Sequence, residues 1–540
     1  MFIGEQITAF FKSVYTGFLA LIVAFANFTG LPIDAGGVHG LRGDYAYTFA
    51  YSTEKIKPDD ILGKRETLRV TMGKNEREGL QLIFRVRYSN EARYVLELGD
   101  VSGPGGAKIP ASVFKESYIH AGPPDRSGSF PDALIPYDGT AATLPRRVNQ
   151  GFYIELRTGT DTPEGIYEGT VRVRRWENTG LYVYEAGETL VSAPFTVEVA
   201  DVTFPDAPFS DTAMGIFGSQ FYALNGVRPG TAEGAAVYKQ YYDYLLDHKI
   251  SAYDLPYDIM TEQAEAYMSD PRVKSFTIPY SGDDATLQAY YDKVQSNPAW
   301  ARKGYYYPID EPHTGEMIQT YNAMTDRLAA LCPGYHMVTP FYMWKFTDGG
   351  AAYDNLAIQD GRSDIICPIS DRFDEKGFPE AVAARVNGSG DRAWWYVCVG
   401  PQGDYNNMFI HHQGTRHRLL FWQQYQQDLT GLLYWDTVYW DKANPWLSAS
   451  TWDSLSASGD GSWFYPGPAV GLRGPIPSLR LKNIADGLED YDLLKMAEEK
   501  FGREYCLGKA AQLSAALTSY TNDPAKLESV RVSILKDLAG

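Results

Sequence analysis

Gly304-Tyr-Tyr-Tyr-Pro-Ile-Asp-Glu-Pro312 is an aromatic, strand-forming run that stops at two prolines. Proline has no N–H to give to a sheet ladder, so Pro308 and Pro312 mark where a strand ends and a loop begins. Asp310 and Glu311 are neighbouring carboxylates at that end. Inside a regular strand two neighbours point to opposite faces. Where the strand breaks, both can turn to one side. If the run belongs to a β/α barrel, that side is the face on which such folds carry catalysis. Asp310 and Glu311 are therefore the candidate catalytic pair. The competing reading is a helix N-cap followed by a first-turn acid, because a helical pattern begins soon after Pro312.

Outward from this run the chain alternates strand-like and helix-like segments. Ala213-Met-Gly-Ile-Phe217, Ile250-Ser-Ala-Tyr-Asp254 and Lys274-Ser-Phe-Thr-Ile278 precede it. His336-Met-Val-Thr-Pro-Phe341, Asp364-Ile-Ile-Cys-Pro368, Ala393-Trp-Trp-Tyr-Val-Cys-Val399 and Gly431-Leu-Leu-Tyr-Trp-Asp436 follow. With the central run these make eight strand candidates, the number of a (β/α)8 TIM barrel, which needs about 250 residues. A doubly wound sheet lacks support, since no glycine-rich phosphate loop follows the first strand. Leu479 to about Asp537 reads as helical, part of it closing the last β/α unit and its end packing outside the barrel.

Tyr45 to Val202 obeys a different grammar. Leu68-Arg-Val-Thr-Met72, Leu80-Gln-Leu-Ile-Phe-Arg-Val-Arg87, Phe152-Tyr-Ile-Glu-Leu156 and Ala193-Pro-Phe-Thr-Val-Glu-Val199 are short strands between polar and Gly/Pro turns. That spacing indicates a β-sandwich. Pro205-Asp-Ala-Pro208 is the linker to the barrel. At the N-terminus, Val14 to Phe28 is an apolar run of about 15 residues, short of the roughly 20 that span a membrane. Ala24-Phe25-Ala26 within it has the form of a signal cleavage site, so export is expected, with an uncleaved anchor or a buried helix as the alternative. The organisation is α/β plus all-β: a signal peptide or anchor over 1–26 and a β-sandwich over 40–204, then a (β/α)8 barrel over 210–500 and a helical extension over 501–540.

A formal net charge of -18 argues against a nucleic-acid partner, which needs a basic face. Cys332, Cys367, Cys398 and Cys506 show no Cys-x-x-Cys spacing, and His411, His412 and His417 have no acidic residue at a ligand spacing. No metal and no cofactor are expected, and no stable membrane insertion once the signal is removed. Aromatic residues at 14% are abundant, and flat rings stack on sugar faces. The strand ends gather Tyr306, Trp395, Tyr396, Trp435 and Asp436, with Asp460 and Tyr465 in the turn-rich loop Gly459-Asp-Gly-Ser-Trp-Phe-Tyr-Pro-Gly467. These are the candidate substrate-binding residues for a glycan, with Tyr306 and Trp435 as the rings that desolvate Glu311. Core packing for the tryptophans and a plain turn at Asp460 are the competing readings.

Tyr307-Pro-Ile-Asp-Glu-Pro312, Trp394-Trp-Tyr-Val-Cys398, Gly431-Leu-Leu-Tyr-Trp-Asp436 and Gly459-Asp-Gly resemble glycoside hydrolase family 123 and the proteins around it. So does Pro477-Ser-Leu-Arg-Leu-Lys-Asn-Ile-Ala-Asp-Gly-Leu-Glu-Asp-Tyr491. Asn75-Glu-Arg-Glu-Gly79 and Pro163-Glu-Gly-Ile-Tyr-Glu-Gly169 match that group's sandwich. The resemblance implies an exo-acting, retaining β-N-acetylhexosaminidase, on N-acetylgalactosamine in the first place, working through an oxazoline formed by the substrate's own acetamide. It further implies that Asp310 holds the acetamide and that Glu311 is the general acid/base. Two rivals stay open. One is a glycosidase using Glu311 with a remote carboxylate, Asp254 or Asp436, on a sugar without an acetamide. The other is a catalytically silent carbohydrate-binding protein.

Overall fold

The computed structural model describes residues 45–87, 93–122, 127–180, 183–440, 444–447, 449 and 457–540. The expected signal segment over 1–26 lies outside them. The N-terminal region is a sandwich of two sheets. One orders the strands Tyr45–Tyr51, Arg77–Val86, Asn149–Arg157, Ala111–Ala121 and Gly128–Pro136. The other orders Arg69–Lys74, Val183–Thr203, Gly165–Gly180, Arg93–Leu98 and Ala142–Thr143. Alternate residues face inward, so Phe49, Leu82 and Phe84 of one sheet meet Val171, Phe195 and Val197 of the other in a single core. Not all the strands are short. Gly165–Gly180 and Val183–Thr203 run to 16 and 21 residues and form a long hairpin. Register shifts near Arg174 bend that hairpin.

From Asp211 the chain turns to mixed α/β structure. Five strands lie parallel in the order Asp211–Met214, Gly431–Tyr434, Arg392–Tyr396, Ile365–Pro368, Val338–Phe341. The three remaining strand candidates are shorter. Phe276–Thr277 pairs in parallel with Gly304–Tyr305. Single parallel bridges join Met214 to Ala252 and Tyr306 to Met337. Thr277 N–H donates to the Tyr253 carbonyl at 2.9 Å.

Side-chain parity divides these strands into two faces. Ala213, Tyr253, Tyr305, Val338, Ile365, Cys367, Trp394, Tyr396 and Leu433 pack on one another. Their neighbours Met214, Ala252, Tyr306, Met337, Ile366, Trp395 and Leu432 pack instead in the larger core shared with the helices. The helix Leu479–Phe501 follows, capped by Ser478, whose Oγ accepts from Leu481 N–H at 3.1 Å. It lies between the sandwich and the parallel strands and is buried on all sides over its first four turns. The tail is not one continuous helix. A small hairpin, Ser514–Ala516 with Ser519–Tyr520, precedes the helix Pro524–Ala539. That last helix returns to the sandwich, where Arg531 Nη1 donates to the Thr71 carbonyl at 2.7 Å.

Candidate active site

The strand Gly304–Tyr305 ends before Pro308, and the backbone breaks at Glu311, which takes φ 43. A side chain in this left-handed region is strained by roughly 1–2 kcal/mol. The residue before a proline ordinarily stays extended, so the conformation opposes two preferences at once. On either side of this break the neighbouring carboxylates take different partners. Asp310 is exposed, and its Oδ1 accepts from the Tyr307 hydroxyl at 2.7 Å. Glu311 is half-buried, and its Oε1 accepts from the Tyr396 hydroxyl on the strand Arg392–Tyr396. His313 Nδ1 lies 2.6 Å from the Glu311 carbonyl.

Neither acid caps the following helix. Gly315–Leu331 is capped by Thr314, whose Oγ1 accepts from Met317 N–H at 3.2 Å. Burial pushes the Glu311 carboxyl above its ordinary value, the Tyr396 hydrogen bond pulls it back, and the Asp310 charge pushes the same way as burial. The two carboxylates also share a neighbour. The buried Cys367 thiol is pushed up first by burial and then by Asp310 and Glu311 together.

A cavity of about 510 Å³ opens beside Asp310. Tyr253, Asp254, Tyr307, Asp310, Phe217 and Trp435 are among the residues that line it. The Thr277 hydroxyl donates to Asp254 Oδ1, fixing that carboxylate at the wall. The Phe217 and Tyr253 rings stack at 6.3 Å, and Phe217 is 55% exposed. Trp435 is held from behind, where its Nε1 donates to Asp460 Oδ2 at 3.1 Å. Asp460 Oδ1 accepts from the Tyr434 hydroxyl at 3.0 Å, and burial pushes this carboxyl up to about 7.

Of the expected residues, the structure places Asp310 and Trp435 on the cavity wall and Tyr396 against the neighbouring Glu311, with the others elsewhere. Tyr306 has the opposite parity to Tyr305 and Tyr307. It is buried under the helices with its hydroxyl 3.6 Å from Cys332 Sγ, so it does not desolvate Glu311. Trp395 likewise faces outward, edge-on to Phe373 at 6.2 Å. Asp436 is buried and its Oδ1 accepts from the backbone N–H groups of Phe217, Thr437 and Val438. Tyr465 sits at the seam with the sandwich, where its hydroxyl donates to Asp132 Oδ2 at 2.6 Å. Asp460 supports Trp435 and is itself buried. Phe217, Tyr253, Thr277, Tyr307 and His313 were not anticipated. For Tyr307 the period-2 parity of its own run held the signal.

Parallel strands whose C-terminal ends carry paired acids, ring-lined walls and an open cavity have the layout of an α/β enzyme's active face. Residues 247–497 match the family described as Glycoside hydrolase 123, catalytic domain, so this stretch of the chain is a glycoside hydrolase domain of that family. Among solved structures, a family 123 glycoside hydrolase from Clostridium perfringens, analysed for glycolipid glycan hydrolysis, is similar over 92% of this chain and 97% of its own. The identity is 12% and the TM-score 0.67, so the likeness extends to the fold. The N-terminal domain of PorA aligns at 8% identity over 27% of this chain and 96% of its own, with a TM-score of 0.16, too low to carry an argument. No curated protein matches the chain.

Proposed function

We propose that the chain is an exo-acting, retaining glycosidase that removes β-linked N-acetylhexosamine, N-acetylgalactosamine in the first place, by substrate assistance. The observation that carries this is the division of labour between the neighbouring acids: an exposed Asp310 on the cavity wall, and a half-buried Glu311 whose carboxyl is held up by burial. In this reading Asp310 accepts the acetamide N–H and orients the amide oxygen toward the anomeric carbon. That oxygen attacks, the glycosidic C–O bond breaks, and Glu311 gives its proton to the departing oxygen. Glu311, now a carboxylate, takes a proton from water as the water opens the oxazoline, and the configuration is retained. A retaining pair with its own enzymic nucleophile needs carboxyls about 5 Å apart across the ring, a layout that neighbours in sequence do not readily supply.

The same reading takes the α/β region as a closed (β/α)8 barrel over 210–500. It is supported by parallel links that run from Asp211–Met214 through Ala252, Phe276–Thr277, Gly304–Tyr306 and Val338–Phe341, and back through Gly431–Tyr434. Export by the N-terminal apolar run belongs to it as well. Among the described residues no helix is long and apolar enough to cross a membrane.

One observation favours a second reading: Asp254 lines the same cavity, which qualifies it as the remote carboxylate of a glycosidase acting on a sugar without an acetamide. Asp436, committed to three backbone N–H groups, does not qualify. A thiazoline that mimics the oxazoline separates the two. Strong competitive inhibition, with turnover of aryl β-N-acetylhexosaminides and none of aryl β-galactosides or β-glucosides, is expected. Turnover insensitive to the thiazoline would overturn substrate assistance.

A further inference from the structure

The two acids open onto different surroundings. The cavity belongs to Asp310. Its walls come from Phe217, Tyr253, Asp254, Thr277 to Tyr280 and Tyr307 to Asp310, together with Trp435. Glu311 is absent from those walls, and its carboxylate is bound by the Tyr396 hydroxyl. A second aromatic feature is anchored to the backbone of Glu311. The His313 and Tyr342 rings meet at 5.4 Å and 58°, both half-exposed, with His313 anchored to the Glu311 carbonyl. His313 is tied to the backbone of the acid and Tyr342 to His313, so the ring pair stands next to Glu311.

A general acid must stand at the junction between the sugar that keeps the anomeric carbon and the group that departs with the oxygen. The group on one side of Glu311 is then the glycone and that on the other the leaving group. Asp310 decides which is which, because the carboxylate that holds the acetamide faces the cavity. Asp254 stands in the same cavity with one oxygen fixed by Thr277, the disposition of a carboxylate that accepts from sugar hydroxyls.

We propose that cleavage is directional: the glycone fills the cavity between Asp254 and Asp310, and the leaving sugar lies beyond Glu311 against the His313–Tyr342 ring pair. Asp254 is then a specificity-determining residue for the glycone, and Tyr342 the platform for the leaving sugar. This rests on the assignment of Asp310 and Glu311 made above.

The test compares kcat/KM for a β-N-acetylhexosaminyl fluoride, whose leaving group is one atom, with that for a β-linked disaccharide of the same glycone. Tyr342→Ala should lower the disaccharide value about tenfold more than the fluoride value, and Tyr342→Leu, which keeps bulk without an aromatic face, should do the same. Asp254→Ala should lower both values together and hold their ratio within about twofold. The substitution keeps the Tyr238 hydroxyl bond to the Asp254 carbonyl and loses the Thr277 bond to the carboxylate, so an unchanged urea midpoint is the check on its fold. A ratio unmoved by both Tyr342 variants, or moved as strongly by Asp254→Ala, overturns the polarity alone. A folded wild-type enzyme that cleaves neither substrate overturns the assignment of the acids as well.

Discussion

Glu311 at φ 43 ahead of Pro312 is the point where sequence and geometry are most at odds. Strain of this kind survives only where the surroundings enforce it, and here the Tyr396 hydroxyl and His313 hold the carboxylate and the carbonyl of one residue. Tyr396 also sets the proton affinity. Its O–H donates to the carboxylate, favouring the charged form and opposing burial. Tyr396→Phe removes that donor, so the Glu311 carboxyl rises. An acid with a higher pKa keeps its proton to higher pH, and the alkaline limb of kcat/KM should move upward, with a lower maximum because Glu311 is less well placed. A downward or absent displacement of that limb would show that Tyr396 does not govern the acid. The pair itself was legible in the sequence because two prolines bracket it. Its neighbours were less so. Reading Tyr306 as a wall ignored the alternation that sends Tyr305 and Tyr307 to one face and Tyr306 to the other. Tyr396, a candidate substrate contact by its place on the strand, donates its hydroxyl to the acid itself.

The eight strand candidates all occur as strands or parallel links, because apolar runs between turn residues are a strong local signal. The loop after Gly431–Tyr434 was read as a lining of the site, whereas it works from behind. Gly459-Asp460-Gly461 passes under Trp435 so closely that a Cβ on Gly461 would lie 2.4 Å from Trp435 Cζ2. Gly461 also takes φ 70. Such support cannot be read from a Gly-Asp-Gly motif, which describes any tight turn equally well. Gly461→Ala should cost about 1–3 kcal/mol from backbone strain plus overpacking, and should lower kcat/KM by displacing Trp435 from the cavity wall. Gly471→Ala is the matched control, at φ 75 with no atom within 4 Å of its added Cβ. It carries the backbone cost alone and should leave kinetics unchanged. Urea midpoints and kcat/KM on the two variants check this, and equal kinetic losses would break the link between the loop and Trp435.

The sandwich and the α/β region are joined through charges that the sequence does not announce as a set. Arg418, on the helix Gly414–Gln426, donates through Nε to Asp490 at 2.6 Å and through Nη2 to Glu78 of the sandwich at 2.7 Å. Arg531, from the last helix, pairs with Glu76 and Asp490. Lys482 pairs with Glu155, and Arg480 with Asp132 at 2.9 Å. The helix Leu479–Phe501 thus carries buried polar residues that pair with the sandwich through Arg480 and Lys482 and with two other helices through Asp490. This is also why its pattern reads only as a helix and not as a seam. The pairings are scattered over more than 400 positions of sequence separation, as from Glu76 to Arg531, so local reasoning has no access to them. Buried ion pairs of this kind cost much in desolvation, and removing one partner strands the other. Arg531→Ala leaves the fully buried Glu76 without its cation. It should destabilise the protein by about 3–5 kcal/mol at neutral pH. The loss should appear as a lower temperature for one shared unfolding transition, since Arg531 ties the tail to both layers. Glu76→Gln in the Arg531→Ala background removes the stranded charge and should recover a substantial part of the loss. Calorimetry on the full chain decides the matter: a sandwich that melts separately at its wild-type temperature in Arg531→Ala would mean the two layers are held by apolar packing, with the charges incidental.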